Sequence, residues 1–332
     1  ESFLSDLHGR DHMTRGELAV DQNGRIHAMR AMITANLGAY CSQAGSSIPW
    51  FGACMSTGCY DIRTAYVSVE MIVTNTVPVD AYRGAGRPEA AYLIERLMDK
   101  TARHLGLTQA EVRRRNFIKP EQFPYKTPTS VSYDSGEYER LMDRALRRAD
   151  WSGFKTRLKE SAGNNRLRGI GMSYYVEICS TLGSETTSVQ IEKNGRVTAL
   201  VGTQSSGQGH ETTYAQMIAA KLNIGIDLVD VVQGNSKLIP TGQGTIGSRS
   251  MALGGSSLIL SIASMIKSGQ RMAAIILESS VADIVFEGGE FRVQNKNRNA
   301  TLEEVVAMSW DDKLRPDHVE PGLYSSESFE QA

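Results

Sequence analysis

Between Arg15 and Tyr40 the chain reads Gly-Glu-Leu-Ala-Val, then Asp-Gln-Asn-Gly-Arg, then Ile-His-Ala-Met-Arg-Ala-Met-Ile. Alternating apolar and polar positions on either side of Asn23-Gly24 predict two strands joined as a hairpin. Tyr66 to Asn75, rich in Val, Ile and Thr, predicts a further strand leading into the loop Asp80-Ala-Tyr-Arg-Gly-Ala-Gly-Arg87. The period then changes from two to about 3.6. Pro88 suits a first helical turn, Ile94, Leu97, Met98 and Leu105 share a helical face, and Gly106 ends the run. Thr108 and Glu111 have the spacing of a capping box for a second helix.

Periodicity lapses after residue 119, where Pro120, Pro124, Pro128 and Gly136 follow one another. This predicts a first domain over 1–119, a linker over 120–145 and a second domain over 146–332. In the second half, Thr187 to Ile191 and Arg196 to Val201 flank a turn at Lys193-Asn194-Gly195 and predict another hairpin. The loop Gly202 to His210 opens onto a helix from about Glu211 to Leu222, with Tyr214, Met217, Ile218 and Leu222 on one side. A strand over Leu228 to Val232 and a loop over Thr241 to Ser250 lead into an apolar helix around Ser256 to Leu277. The expected class is α+β, with two mixed α/β domains.

Thirty-six basic and thirty-seven acidic residues give a formal net charge of -1, so no global field favours nucleic acid or an anionic membrane. Apolar stretches such as Ser256 to Met265 fall short of the roughly 20 residues needed to span a bilayer, so no membrane span is expected. The first residues lack the pattern of a secretory signal. Four cysteines, Cys41, Cys54, Cys59 and Cys179, are too sparse for a disulfide framework and fit a reducing cytoplasm. No second Cys or His pair accompanies Cys54 and Cys59 at zinc spacing, and His8 with His12 reads as a solvated pair. Arg113, Arg114 and Arg115 read as a solvated helix face or salt-bridge partners.

Three glycine-rich loops each precede a helix, where unpaired amides and the helix dipole favour an anion. Arg83, Arg87 and Arg249 add planar, bidentate donors to two of them. A single loop of this kind is explained by a strand-to-helix connection; three point to a large ligand with several acceptor oxygens. None carries the phosphate-loop ending or the dinucleotide fingerprint.

The run Val79-Asp-Ala-Tyr-Arg-Gly-Ala-Gly-Arg-Pro-Glu through Asp99 resembles the active-site loop and following helix of molybdenum hydroxylase large subunits. These are the xanthine dehydrogenase and aldehyde oxidase type proteins, and the likeness is greatest to relatives of aerobic carbon monoxide dehydrogenases. Gly207-Gln-Gly-His-Glu-Thr-Thr-Tyr-Ala-Gln216 resembles the family's second cofactor loop, and Gly244-Thr-Ile-Gly-Ser-Arg-Ser250 its third. The resemblance runs in order over nearly the whole chain and implies two domains with the cofactor loops near their interface. It implies molybdenum on molybdopterin, as the cytosine dinucleotide.

By this resemblance Gln208 hydrogen-bonds an oxygen ligand of molybdenum or the dithiolene region, with Gly207, Gly209 and His210 lining the same loop. Gly247, Ser248, Arg249 and Ser250 hold the pterin or the nucleotide phosphates. Arg83, Gly84, Ala85 and Gly86 border the substrate side of the metal. The resemblance further implies hydroxylation of a small-molecule substrate, an aldehyde or aromatic N-heterocycle, with oxygen from water. Electrons would pass to an iron-sulfur small subunit with two 2Fe-2S clusters and an FAD-binding medium subunit, in a dimer of heterotrimers.

The family's upstream Gly-Gly-Phe-Gly type loop and the late Gly-Glu motif bearing its general base are not found. A fragment lacking both ends, inactive in isolation and with no catalytic residue of its own, is therefore expected; Glu177, Glu185 and Glu211 do not stand in that late motif. Copper-dependent carbon monoxide dehydrogenases place a cysteine after the Tyr-Arg of the first loop, where this chain has Gly84. That disfavours carbon monoxide, because soft copper needs a thiolate. The alternatives are a non-catalytic cofactor carrier, a carbon monoxide dehydrogenase-like subunit, and an unrelated nucleotide-binding protein.

Overall fold

The computed structural model describes residues 1–179 and 183–331. Its packing divides into two units, Glu1–Glu177 and Ile178–Ala332.

The first unit opens with a short helix α1 (Ser2–Ser5) and the predicted hairpin, β1 (His12–Val20) antiparallel to β2 (Ile26–Gly38). After α2 (Ser47–Cys54), β3 (Thr64–Val73) pairs parallel with β2, giving the order β1-β2-β3. Along β2 the residues Ala31, Ile33, Ala35 and Leu37 are buried on alternate positions, as a strand with one covered face requires. Helix α3 (Arg87–Leu105) starts with a proline in its first turn and stops at Gly106, whose φ of 66° closes the helix in left-handed geometry. Its buried Ile94, Met98 and Ala102 join Ile26, Met29 and Ala31 in one core. Each of the larger side chains contributes about 1.5–3 kcal/mol on burial. Helix α4 (Gln109–Asn116) has the capping box predicted at Thr108 and Glu111.

The packing of this half differs from the expected linker. Residues 120–145 form no extended linker: β4 (Tyr125–Lys126) pairs with β5 (Ser132–Tyr133), and α5 (Tyr138–Arg148) inserts Met142 into the first core. Helix α6 (Phe154–Gly163) follows, and Met172, Tyr174 and Val176 still pack on that core. The division in packing therefore falls after Glu177. The cause is aromatic: Phe117 lies 4.8 Å from Tyr174, 5.7 Å from Tyr60 and 6.1 Å from Tyr138, ring centre to ring centre.

Arg113 follows the salt-bridge reading rather than the solvated one, since its side chain is fully buried. It ion-pairs with Glu95 at 2.7 Å and Asp99 at 3.0 Å. Arg114 does meet Glu139 and Asp143 in half-exposed salt bridges, and Arg115 donates to the carbonyl of Asn23. His12 is also partly covered, and burial holds its pKa below the usual histidine value.

The second unit has a four-stranded sheet whose order is β12 (Ser325–Glu330), β6 (Ser184–Ile191), β7 (Val197–Val201), β8 (Val229–Val232). Strands β6 (Ser184–Ile191) and β7 (Val197–Val201) form the predicted hairpin; α7 (His210–Leu222) then crosses to β8 (Val229–Val232), which runs parallel to β7. A π-helical turn, Ser250–Gly255, continues into α8 (Ser256–Ile276). Together they make a helix long and apolar enough by composition to span a bilayer, longer than the apolar stretches suggested. In this fold it is a core helix: Leu258, Ile262, Met265 and Met272 are buried with β6 and β7 residues. A small sheet of β9 (Ile284–Glu287), β10 (Glu290–Val293) and β11 (Asn299–Thr301) adds Phe291 to this core. Helix α9 (Leu302–Ser309) and β12 (Ser325–Glu330), which pairs with β6, complete the unit.

Candidate functional site

The first glycine loop lies in the first unit. Asp80, buried at its start, accepts the amide of Ala44, and the amide of Ala85 donates to the carbonyl of Tyr82. Arg10 donates to the carbonyl of Arg83 and stacks over the Tyr82 ring at 4.9 Å. Gly86, φ 89°, touches α2 so closely that a β-carbon would sit 2.2 Å from the Ile48 carbonyl oxygen. The loop backbone is thus set by its surroundings while the Arg83 side chain is exposed. Arg87 points back, donating through Nε to the Gly84 carbonyl at 2.8 Å and meeting Glu177 at 3.2 Å. Arg83 is therefore the arginine of this loop offered to solvent.

The second and third loops are brought together in the second unit. Parallel pairing of Leu200 with Val232 makes both chains leave the sheet at the same end, the carboxyl end where open α/β sheets take ligands. After β7 the chain runs through Gly202–Gly209 to the N-terminus of α7; after β8 it runs through Gln233–Arg249 to the π-helical turn. Thr245 Oγ1 donates to the Gln204 carbonyl at 2.5 Å. The Tyr214 hydroxyl donates to the Ser250 carbonyl at 2.7 Å and lies 3.0 Å from Thr203 Oγ1.

Gly207 and Gly209 adopt φ of 101° and 78°, and open space flanks both. Gln208 is exposed, and its side-chain oxygen accepts the Ser206 amide, which leaves the amide nitrogen as its outward donor. His210 begins α7 with Nδ1 buried and unpartnered, its ring 5.8 Å from Tyr214. Gly247 and Ser248, with φ of 55° and 59°, are exposed at the tip of the third loop, and Ser250 is half-buried.

Arg249 points inward rather than to the open face of its loop. Its guanidinium is buried against Glu185, with further bonds to the carbonyls of Ser184 at 2.6 Å and Gly244 at 3.2 Å. A guanidinium committed to a buried carboxylate braces its own loop rather than gripping phosphate. Burial pushes the Glu185 carboxyl up, and the Arg249 charge opposes that shift.

Sequence reasoning missed four residues here. Glu185, Tyr214 and Thr245 tie the loops together, and Gln233, just beyond β8, has both side-chain amide atoms buried without a partner. Thr203, Gln204, Tyr214 and Thr245 lie inside the glycine-rich strings and carried a local signal, whereas Glu185 and Gln233 carried none. An unsatisfied buried amide costs about 1–3 kcal/mol, so Gln233 and the His210 Nδ1 are groups that a polar ligand would satisfy. Open glycine amides at a helix N-terminus, an exposed amide donor at Gln208 and these unpaired atoms together fit an anionic, hydrogen-bonding heterocycle such as a pterin.

Two family models, each described as a molybdopterin cofactor-binding domain, match residues 1–117 and 144–331. The chain belongs to the molybdopterin cofactor-binding family. It is 35% identical to the carbon monoxide dehydrogenase large chain of Afipia carboxidovorans, over 97% of this chain and 42% of that protein. It is 31% identical to the 6-hydroxypseudooxynicotine dehydrogenase complex subunit gamma of Paenarthrobacter nicotinovorans, over 97% and 41%. The solved structure of quinoline 2-oxidoreductase from Pseudomonas putida 86 superposes with a TM-score of 0.91 at 26% identity, covering 99% of this chain and 44% of that one. The chain thus spans about two fifths of the length of these relatives. The second family match contains the loop pair at β7 and β8, and the first contains the Arg83 loop.

Proposed function

We propose that the chain is the cofactor-holding part of the large subunit of a molybdenum-dependent hydroxylase. The observation that carries this is the loop pair at the carboxyl ends of β7 and β8, with the unpaired His210 Nδ1 and Gln233 amide, inside a molybdopterin cofactor-binding match. The cofactor is molybdopterin cytosine dinucleotide. Gly207, Gln208, Gly209 and His210 hold the pterin side through backbone amides and the Gln208 amide nitrogen. Gly247, Ser248 and Ser250 receive phosphate at the third loop, with Arg249 setting the loop's shape from behind. Arg83, Gly84, Ala85 and Gly86 border the substrate.

When bound, the cofactor supplies a two-electron oxidation that converts a C–H carbon to C–OH with oxygen from water. The residues of this chain orient the cofactor and shield it. The substrate is an aldehyde or an aromatic N-heterocycle; relatives named nicotine 6-hydroxylase and quinoline 2-oxidoreductase favour the heterocycle. Gly84 offers no thiolate for copper, which argues against carbon monoxide. The electrons pass to 2Fe-2S and FAD partner subunits in a dimer of heterotrimers, a reading supported by relatives named as large subunits or complex components.

The test is molybdenum analysis and pterin fluorescence on the protein purified with its partner subunits from a host that makes the cytosine dinucleotide. About one molybdenum and one pterin per chain, with turnover in a screen of aldehydes and N-heterocycles, is expected. A folded complex free of both would overturn the proposal.

A further inference from the structure

Glu185 belongs to no glycine loop, yet two loops converge on it. Its side chain is fully buried, and Arg249, which it pairs with, is 3% exposed. One carboxylate oxygen, Oε2, accepts from Arg249, and the same guanidinium holds the carbonyls of Gly244 and Ser184. The other oxygen, Oε1, takes no well-aligned hydrogen bond and lies against Gly202, where a β-carbon would come within 2.0 Å of it. Gly202 and Gly242 also touch through their backbones, since a β-carbon on Gly242 would lie 2.8 Å from the Gly202 carbonyl oxygen. The start of the second loop and both ends of the third are thereby packed around one carboxylate. Tyr214 makes a second tie, between Thr203 and Ser250.

We propose that Glu185 is a positioning residue whose buried carboxylate, through Arg249 and Gly202, holds the second and third loops in the mutual register that the pterin cofactor requires. This rests on the cofactor-binding reading above. A buried ion pair is weak evidence for net stability but good at selecting one arrangement, because removing either partner strands the other. Two glycine-rich loops have many alternative conformations, and tying both to one carboxylate makes their disorder cooperative. Glu185 touches no ligand in this scheme; it acts on Gln208, His210, Gly247 and Ser248 through the backbone.

The experiment uses amide hydrogen exchange on the protein purified from a host that cannot make the cofactor, and molybdenum and pterin content from a host that can. In Glu185→Gln, exchange in 202–209 and 242–250 is expected to rise together by about tenfold or more, the loss of a charged hydrogen bond. The β10 and α9 amides should hold, and cofactor content should fall severalfold. Tyr214→Phe should loosen the same two segments. Arg249→Lys, which keeps the charge but loses its forked geometry, should loosen 242–250 more than 202–209.

Ile262→Val in the α8 core, a comparable loss of stability, should leave the loops' exchange relative to the core unchanged. The clamp is refuted if Glu185→Gln loosens one loop alone, or the whole unit as Ile262→Val does, or leaves cofactor content at the parent level. A parent protein that takes up no molybdenum or pterin would instead refute the cofactor reading, and the exchange comparison would still decide the clamp.

Discussion

Replacing Arg113 by Met tests whether the polar centre of the first unit is organised as described. The guanidinium donates through Nε and Nη2 to Glu95 Oε2 at 2.9 and 2.7 Å, through Nη2 to Asp99 at 3.0 Å, and through Nη1 to the Gln109 carbonyl at 3.0 Å. Glu95 also receives the Tyr60 hydroxyl and, at 2.7 Å, the Tyr174 amide. Methionine fills much of the same volume but leaves Glu95 as a buried charge without a cation. Removing one partner of a buried pair costs about 3–5 kcal/mol. The first unit has the size, Glu1–Glu177, at which each kcal/mol lowers Tm by about 2–4 °C, so a fall of about 6–20 °C is expected.

Differential scanning calorimetry of Arg113→Met beside the parent measures it. Adding Glu95→Gln, which keeps an acceptor for Tyr60 and Tyr174 but no charge, should recover most of the loss. A fall of less than about 2 °C, or a deficit indifferent to Glu95→Gln, would show that Arg113 fills space rather than neutralising the core.

Gly86→Ala should cost more than an ordinary surface change, since its φ is 89° and the new β-carbon meets the Ile48 carbonyl at 2.2 Å; a Tm equal to the parent's would show that α2 yields freely. Gln233→Leu should raise the Tm of cofactor-free protein by removing an unsatisfied amide, yet lower pterin content in loaded protein; stabilisation without any change in pterin would remove Gln233 from the ligand-facing set. Burial raises the Asp61 carboxyl, but hydrogen bonds from Gln122 and Tyr125 and the charge of Arg63 outweigh it and leave its pKa below 3.8. A depressed carboxylate stabilises the fold above its unfolded pKa and loses that contribution as pH falls through the folded value. Asp61→Asn should therefore lower Tm at neutral pH and flatten its decline below about pH 4; an unchanged acid limb in a Tm-against-pH series would contradict this.

Most local elements are legible along the chain because their causes are local. Asn-Gly turns make the two hairpins, Thr108 with Glu111 caps α4, Pro88 and Gly106 bound α3, and the three glycine loops announce themselves by composition. The family strings around Arg83, Gln208 and Ser248 marked the loops proposed to hold the cofactor. What each arginine does was not legible. Arg113, Arg114 and Arg115 are adjacent and chemically alike, yet one is buried on Glu95 and another meets Glu139, 25 positions away. Arg249 turns inward because Glu185 waits 64 positions earlier on a neighbouring strand, and Gln233, just beyond β8, is left with its side-chain amide buried and unpaired.

The division between units followed the same logic: prolines after residue 119 mark a change of local structure, but Met142 and Tyr174 return to the first core. Turn geometry, capping and periodicity depend on residues a few positions apart, and the chain order alone determined them. Burial of charge and the pairing of loops depend on which distant segments the sheets and helices bring together, and only the tertiary structure decided those.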